Sequence, residues 1–241
     1  MTIDEISDTS NKKSANSDPL DIFLSTRKAE ILDSIGDETY MVISCSPASL
    51  RDETVLNTDD QKLRQIIARP PQIVKLVEGM ANISCGVPYP TTNGLRADAP
   101  SAFDSGDYIE VYSTGYVEYG QQIKRSKNES LGLYFSSKYH TAHIVNFMRF
   151  IEEIYELYLS SAPLVIKFAI YNASGMWLAT GEGDEKQVKW PEQHIELGKF
   201  YTENLSKERL LLTKTIGDRL WQVFSYEKST LFDDNGVFEI G

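Results

Sequence analysis

The sequence predicts an α+β fold: antiparallel β-hairpins packed against a few amphipathic helices. Three observations carry this. Alternating segments come in adjacent pairs around turn residues, as in "GDYIEVYSTGYVEYG" at 106–120. Segments with helical apolar spacing follow pairs of strands instead of alternating with single ones, which favours α+β over a doubly wound parallel sheet. No Pro- or Ser-rich linker divides the chain after residue 18, which leaves one domain over 19–241. With 241 residues, of which 41% are apolar, a sizeable core is expected.

Residues 1–18 are rich in Ser, Asn, Asp, Thr and Lys and poor in large apolar groups, so they read as a disordered polar arm. Pro19 opens a helical pattern in which Leu20, Leu24, Ile31 and Ile35 lie near one face, and Gly36 is its expected stop. "TYMVISCSP" is a short apolar run closed by Pro47, which suits a buried strand. In "NTDDQKLRQIIARPP", Asp59 or Asp60 can cap a short helix with Leu63, Ile66 and Ile67 on its apolar face. Pro70-Pro71 must end it. The stretch from 70 to 98 reads as mostly extended, with Asn93-Gly94 as a turn because both residues tolerate positive φ.

Along 106–120, Tyr108, Glu110 and Tyr112 point one way and Ile109, Val111 and Ser113 the other. Thr114-Gly115 turns the chain, and Tyr116 to Tyr119 run back. "LGLYF" is expected as a third strand after a basic bend at Lys124, Arg125 and Lys127, itself read as a solvated hairpin end. "TAHIVNFMRFIEEIYELYLSS" is the clearest helix. Thr141 is its expected N-cap, Ile144, Phe147, Met148, Ile151, Ile154, Tyr155 and Tyr158 recur on one face, and Arg149, Glu152, Glu153 and Glu156 fill the other. "PLVIKFAIYNASGMWLAT" reads as a second hairpin, with Gly175 available for a left-handed position. "HIELGKFYTENL" follows as a strand, then a terminal helix with Leu212, Ile216, Leu220 and Val223 on one face. Gly217 weakens that helix. Asn235-Gly236 suggests a short closing hairpin.

The net charge of −11 opposes a phosphate-tracking surface, which needs clustered Lys and Arg. The first residues are polar and acidic where a signal peptide needs a basic start and an apolar run. No apolar run approaches the ~18 residues of a membrane span. A cytoplasmic location with no membrane association is the resulting expectation. Cys45 and Cys85, the two cysteines, read as buried small apolar side chains.

His140 and His143, three apart, invite a metal reading with Glu152 or Glu153. Glu152 is nine residues from His143, however, and neither a Glu-x-x-His nor a His-Glu-x-x-His motif appears. Helix-start polarity and core packing account for both histidines, and His194 reads as flanking a strand. There is no Gly-x-Ser-x-Gly pentad, and the turn alone explains Ser174 in "NASGM". No spacing pairs a cysteine with a histidine. "TGEGDEK" lacks the Gly-Lys-Ser/Thr ending of a phosphate loop, and Asp233-Asp234 lack the oxygen ladder of an EF-hand. Tyr108, Tyr112, Tyr116 and Tyr119 could stack bases, but Asp107, Glu110 and Glu118 stand among them where such platforms carry basic residues. Cross-strand aromatic pairing in a half-buried sheet is the simpler role, and a protein-contact surface the next.

From about residue 38 to 226 the order of features resembles a known arrangement. "MVISCSP" precedes a helix running into "ARPPQIV"; "ANISCGVPYPTTNGLRAD" leads to the "YIEVYSTGYVEYG" hairpin, a long helix and "VIKFAIYNASGMWLAT". This is similar to the region downstream of the DNA-binding domain in bacterial Schlafen/AlbA-type proteins. The domain that gives that family its DNA-binding role has no counterpart before residue 38, so the role is not carried over, and no catalytic residue maps onto this chain. The resemblance implies an accessory, sensor or assembly module.

The expectation is therefore a non-enzymatic module of a bacterial cytoplasmic system, without a cofactor, that binds a protein partner, itself or a regulatory ligand. Tyr108, Tyr112, Tyr116 and Tyr119 are the candidate partner surface. The alternatives are a metal-dependent hydrolase using His140 and His143, and a single-stranded nucleic-acid binder using the tyrosine hairpin and the Lys124–Lys127 bend.

Overall fold

A computed structural model describes residues 18–49, 54–72, 74, 83, 85–100, 106–126, 131–158, 163–181 and 188–239. The predicted arm lies outside them apart from Asp18. In chain order the elements are α1 (Pro19–Ile35), β1 (Tyr40–Pro47), α2 (Gln61–Ala68), β2 (Tyr89–Pro90), β3 (Gly94–Asp98), β4 (Tyr108–Tyr112), β5 (Val117–Gln122), β6 (Tyr134–Ser136), α3 (Ser137–Tyr158), β7 (Leu164–Tyr171), β8 (Trp177–Ala179), β9 (Ile195–Thr202) and α4 (Leu205–Val223). Seven strands form one antiparallel sheet in the order β2-β3-β4-β5-β1-β7-β9, and β6 and β8 form a separate parallel pair. The architecture is α+β, as the sequence predicts.

β1 runs between β5 and β7 and is buried over nearly its whole length, which explains its continuous apolar run. The period of two divides its side chains between two covers. Met41, Ile43 and Cys45 join the main core with residues of α2, α3, α4 and the C-terminal tail. Val42 faces the other way and meets Ile31 and Ile35 of α1. Farther along, Leu20 and Leu24 of α1 pack with Tyr112, Tyr116 and Val165. The sheet is thus a middle layer, with α1 on one side and the other three helices on the opposite side.

Local chemistry sets the helix ends. Asp18 accepts Leu20 N–H at 3.1 Å ahead of Pro19, and Asp60 accepts Lys62 N–H at 2.7 Å. α3 begins at Ser137, not at Thr141, because the chain passes directly from β6 into the helix. The expected N-cap therefore lies inside the helix, where the buried Thr141 hydroxyl has no partner among the described residues. α4 ends in a Schellman turn. Tyr226 N–H donates to Trp221 O, Ser225 N–H to Gln222 O, and Ser225 takes φ 66°. The Trp221 and Tyr226 rings meet at 5.2 Å across the same turn.

Several pairings differ from the local reading. β8 does not return along β7, because β1 and β9 already occupy both edges of β7. It pairs in parallel with β6, so "LGLYF" contributes to this small sheet and not to a third strand of the meander. Glu152, expected on a solvent face, is buried and ion-paired with Arg149 at 2.5 Å and with Arg209 of α4 at 3.0 Å. Gly94 takes no positive φ; a Cβ there would collide with the backbone at Val111 and Tyr112, so close strand approach accounts for this glycine. Gly217 sits inside α4 because a Cβ would lie 2.6 Å from the Phe232 ring. The outer edge of β9 is interrupted by Gly198 at φ 84° beside a register shift, and Arg219 donates to Leu197 O at 3.3 Å.

Candidate functional site

The tyrosine hairpin forms as expected, with β4 and β5 in antiparallel register around a turn in which Gly115 has φ 92°. Its tyrosines do not form an open platform. Tyr108, Tyr112, Tyr116 and Tyr119 are each 4% exposed or less. Phe23 of α1 meets the rings of Tyr112 at 5.8 Å and Tyr116 at 4.9 Å, both edge-on. Tyr119 lies on the opposite face, nearly parallel to His143 at 5.8 Å. The surface expected for a partner or for bases is occupied by this chain's own α1 and α3. The physical reason is that each face of the sheet needs a cover, and both covers are present.

Beneath α1 lies a charged cluster. Glu118 is 0% exposed. It accepts from Arg27 Nη2 at 2.8 Å and Nε at 3.3 Å, from Tyr108 Oη at 2.7 Å, and from Tyr116 Oη. Arg27 also reaches Glu110 at 2.6 Å, and Arg96 approaches the same carboxylate at 3.5 Å. Burial disfavours the Arg27 guanidinium, but the Glu118 and Glu110 carboxylates more than offset this and hold its pKa above the usual arginine value. Burial pushes the Glu110 carboxyl up, against the pull of Arg27. Burial also raises the Tyr108 and Tyr116 phenols well above their ordinary value. The remaining cavity here, about 10 Å3, has room for about one water and not for a ligand.

Beneath α3 lies a second network. Tyr119 Oη is 2.8 Å from His143 Nδ1 and 3.4 Å from Asp107 Oδ2, and Asp107 Oδ1 accepts Gln122 N–H at 3.1 Å. Burial raises the Asp107 carboxyl to about 6. Burial lowers His140 to about 4, and burial together with nearby His140 lowers His143 to about 3. Both imidazoles are therefore neutral at pH 7. His140 Nδ1 is 3.0 Å from Ser136 O, and the buried His143 Nε2 has no partner among the described residues. Among the described residues, no group of three His, Cys, Asp or Glu side chains is placed to hold a metal. Cys45 and Cys85 are free and buried, and burial raises both thiols to about 12, which leaves them poor nucleophiles. Lys124 and Arg125 are exposed, and Lys127 lies outside the described residues.

An open groove of about 390 Å3 lies elsewhere, between the loop before β9 and the last turn of α4. Trp190, Glu192, Gln193, His194, Ile195, Glu196 and Val223 line it. Its loop is firmly anchored. Trp190 N–H donates to Met176 O at 2.7 Å, Gly175 N–H to Trp190 O at 2.8 Å, and Ala173 N–H to Gln193 O at 2.7 Å. The Trp190 indole N–H donates to His194 O at 3.0 Å, and Asn172 N–H donates to His194 Nδ1 at 3.3 Å, which places the imidazole proton on Nε2. Asn172 in turn donates to Gly36 O and Glu38 O, both at 2.8 Å, fastening the loop to the end of α1.

The two groove carboxylates differ. Glu196 is bridged by Lys28 at 2.6 Å and Lys167 at 3.2 Å; burial works to raise it, and these lysines overcome that and hold it below the usual carboxylate range. Glu192 is exposed and makes no ion pair among the described residues. Sequence reasoning reached His194 only as a strand-flanking residue and passed over Trp190. Tryptophan before proline in an acidic loop was the available signal, but the loop has no periodicity to place it. No protein-family model, curated protein or solved structure matches this chain.

Proposed function

We propose that this chain is a non-catalytic binding module, an accessory, sensor or assembly component of a bacterial cytoplasmic system, that takes a protein partner in the Trp190–Val223 groove. The anchored groove is the observation that carries the reading. A concave surface with an aromatic wall and a few polar groups is what recognition sites use, and fixed walls lower the entropic cost of binding. The resemblance of its order of sequence features to the region downstream of the DNA-binding domain in Schlafen/AlbA-type proteins also motivates an accessory role. The buried tyrosines and histidines are used in the protein's own packing, which moves the proposed partner surface away from the 106–120 hairpin.

The test compares immobilised wild-type protein with Trp190→Ala, Glu192→Lys and the distal, exposed Leu211→Asp. A protein bound stoichiometrically by the wild type and by Leu211→Asp, and lost from both groove variants, supports the reading. Equal retention by all four proteins overturns it.

A further inference from the structure

We infer that the groove selects a basic side chain, with arginine preferred over lysine, presented by the protein partner. This rests on the binding-module reading above and adds the chemistry of the occupant. Three features of the groove point to a cation. The first is Glu192, an exposed carboxylate without a cationic partner among the described residues, whereas the neighbouring Glu196 is already bridged by Lys28 and Lys167. A ligand that brings its own cation gains an ion pair at Glu192 without displacing one.

The second is the indole of Trp190. Its N–H is used by His194 O, so the ring serves the groove as an apolar wall and not as a hydrogen-bond donor. Indole faces attract cations, and a planar guanidinium can stack while its N–H groups reach a carboxylate; an ammonium cannot do both as well. The third is the helix end. Val223 belongs to the last turn of α4, which carries no basic residue, so no cation of that turn competes for the groove. The chain's net charge of −11 attracts a basic partner over longer range.

Other segments fit less well. An acidic peptide would meet the like charge of Glu192. An uncharged apolar peptide would leave the Glu192 carboxylate facing apolar groups, at a desolvation cost.

The test uses the full chain and a Gly-Ser heptapeptide with one central arginine, beside its lysine, glutamine and glutamate counterparts. Amide and indole shifts are followed by NMR. The expected result is saturable shifts at residues 190–196 and 223 and at the Trp190 indole, in the order arginine, lysine, glutamine, glutamate. Glu192→Gln should weaken the arginine peptide about fivefold, the scale of one partly exposed ion pair. Raising the salt should weaken it further. If the glutamine or glutamate peptide binds as tightly as the arginine peptide, or the arginine peptide shifts residues elsewhere, the inference fails while the binding-module reading stands. If no peptide of any charge perturbs Trp190 at millimolar concentration, both fail.

Discussion

Arg27 of α1 holds Glu118 of β5 through two nitrogens, at 2.8 and 3.3 Å, where the carboxylate has no exposure to solvent. The residues are 91 apart in sequence, and their pairing fixes α1 on the sheet at one point. Removing one partner of a buried ion pair leaves an uncompensated charge, which typically costs about 3–5 kcal/mol. Arg27→Met should lose stability on that scale in urea unfolding. Arg27→Met with Glu118→Gln should recover part of it, because the fully buried charge is gone and the remaining carboxylate, Glu110, keeps Arg96 at 3.5 Å. A loss below about 1 kcal/mol for Arg27→Met would show that water reaches Glu118.

The buried titratable groups give opposing pH dependences. His140 and His143 have folded pKa values of about 4 and 3, below the unfolded value of about 6.5, so their contribution is complete above pH 6.5 and is lost as pH falls. Asp107, at about 6 in the folded state against about 3.8 unfolded, does the reverse, and stability is regained as pH falls from above 6 towards 4. For these three groups alone, two losses against one gain leave a net loss on the order of 1 kcal/mol per pH unit between pH 6 and 4. Asp107→Asn should roughly double that slope and be at least as stable as the wild type at pH 7.5. A variant with an unchanged slope would place Asp107 in contact with solvent.

Ser225 occupies the left-handed position that ends α4, with φ 66°. Glycine reaches this conformation without a Cβ penalty. Ser225→Gly should stabilise the protein by about 0.5–1 kcal/mol and raise the thermal midpoint by about 1–3 °C. A lower midpoint would mean that the serine side chain contributes more than its backbone strain costs.

Gly217→Ala sets helix propensity against packing. Alanine gains about 1 kcal/mol inside a helix. The added methyl would lie 2.6 Å from the Phe232 ring, which is itself buried in the core. Overpacking typically costs about 1–3 kcal/mol, so a net loss is expected. Phe232→Leu in the same chain should reduce that loss, and purely additive effects would count against the contact.

Much of the secondary structure was legible because it rests on local rules. Pro19 at the head of a helical pattern, Asp60 before an amphipathic turn, and alternation around Gly115 each fix an element from within a few residues, whereas Asp18, read as part of the arm, proved to cap α1. The site was much less legible. Trp190, Glu192 and Val223 meet only because the loop before β9 is tied to the 172–176 turn and α4 ends beside it. No short-range pattern records that meeting.

By itself, then, the sequence determined the α+β class, most of the elements, and the division of residues 106–120 into two faces, because a period of two follows directly from the backbone. Only the tertiary structure decided what covers each face. It placed Arg27 against Glu118, brought Tyr119 to His143, sent β8 to β6 after both edges of β7 were filled, and buried Glu152 under Arg209. These outcomes depend on which elements distant in sequence supply the missing charge, hydrogen bond or apolar surface, and only the folded chain brings those partners together.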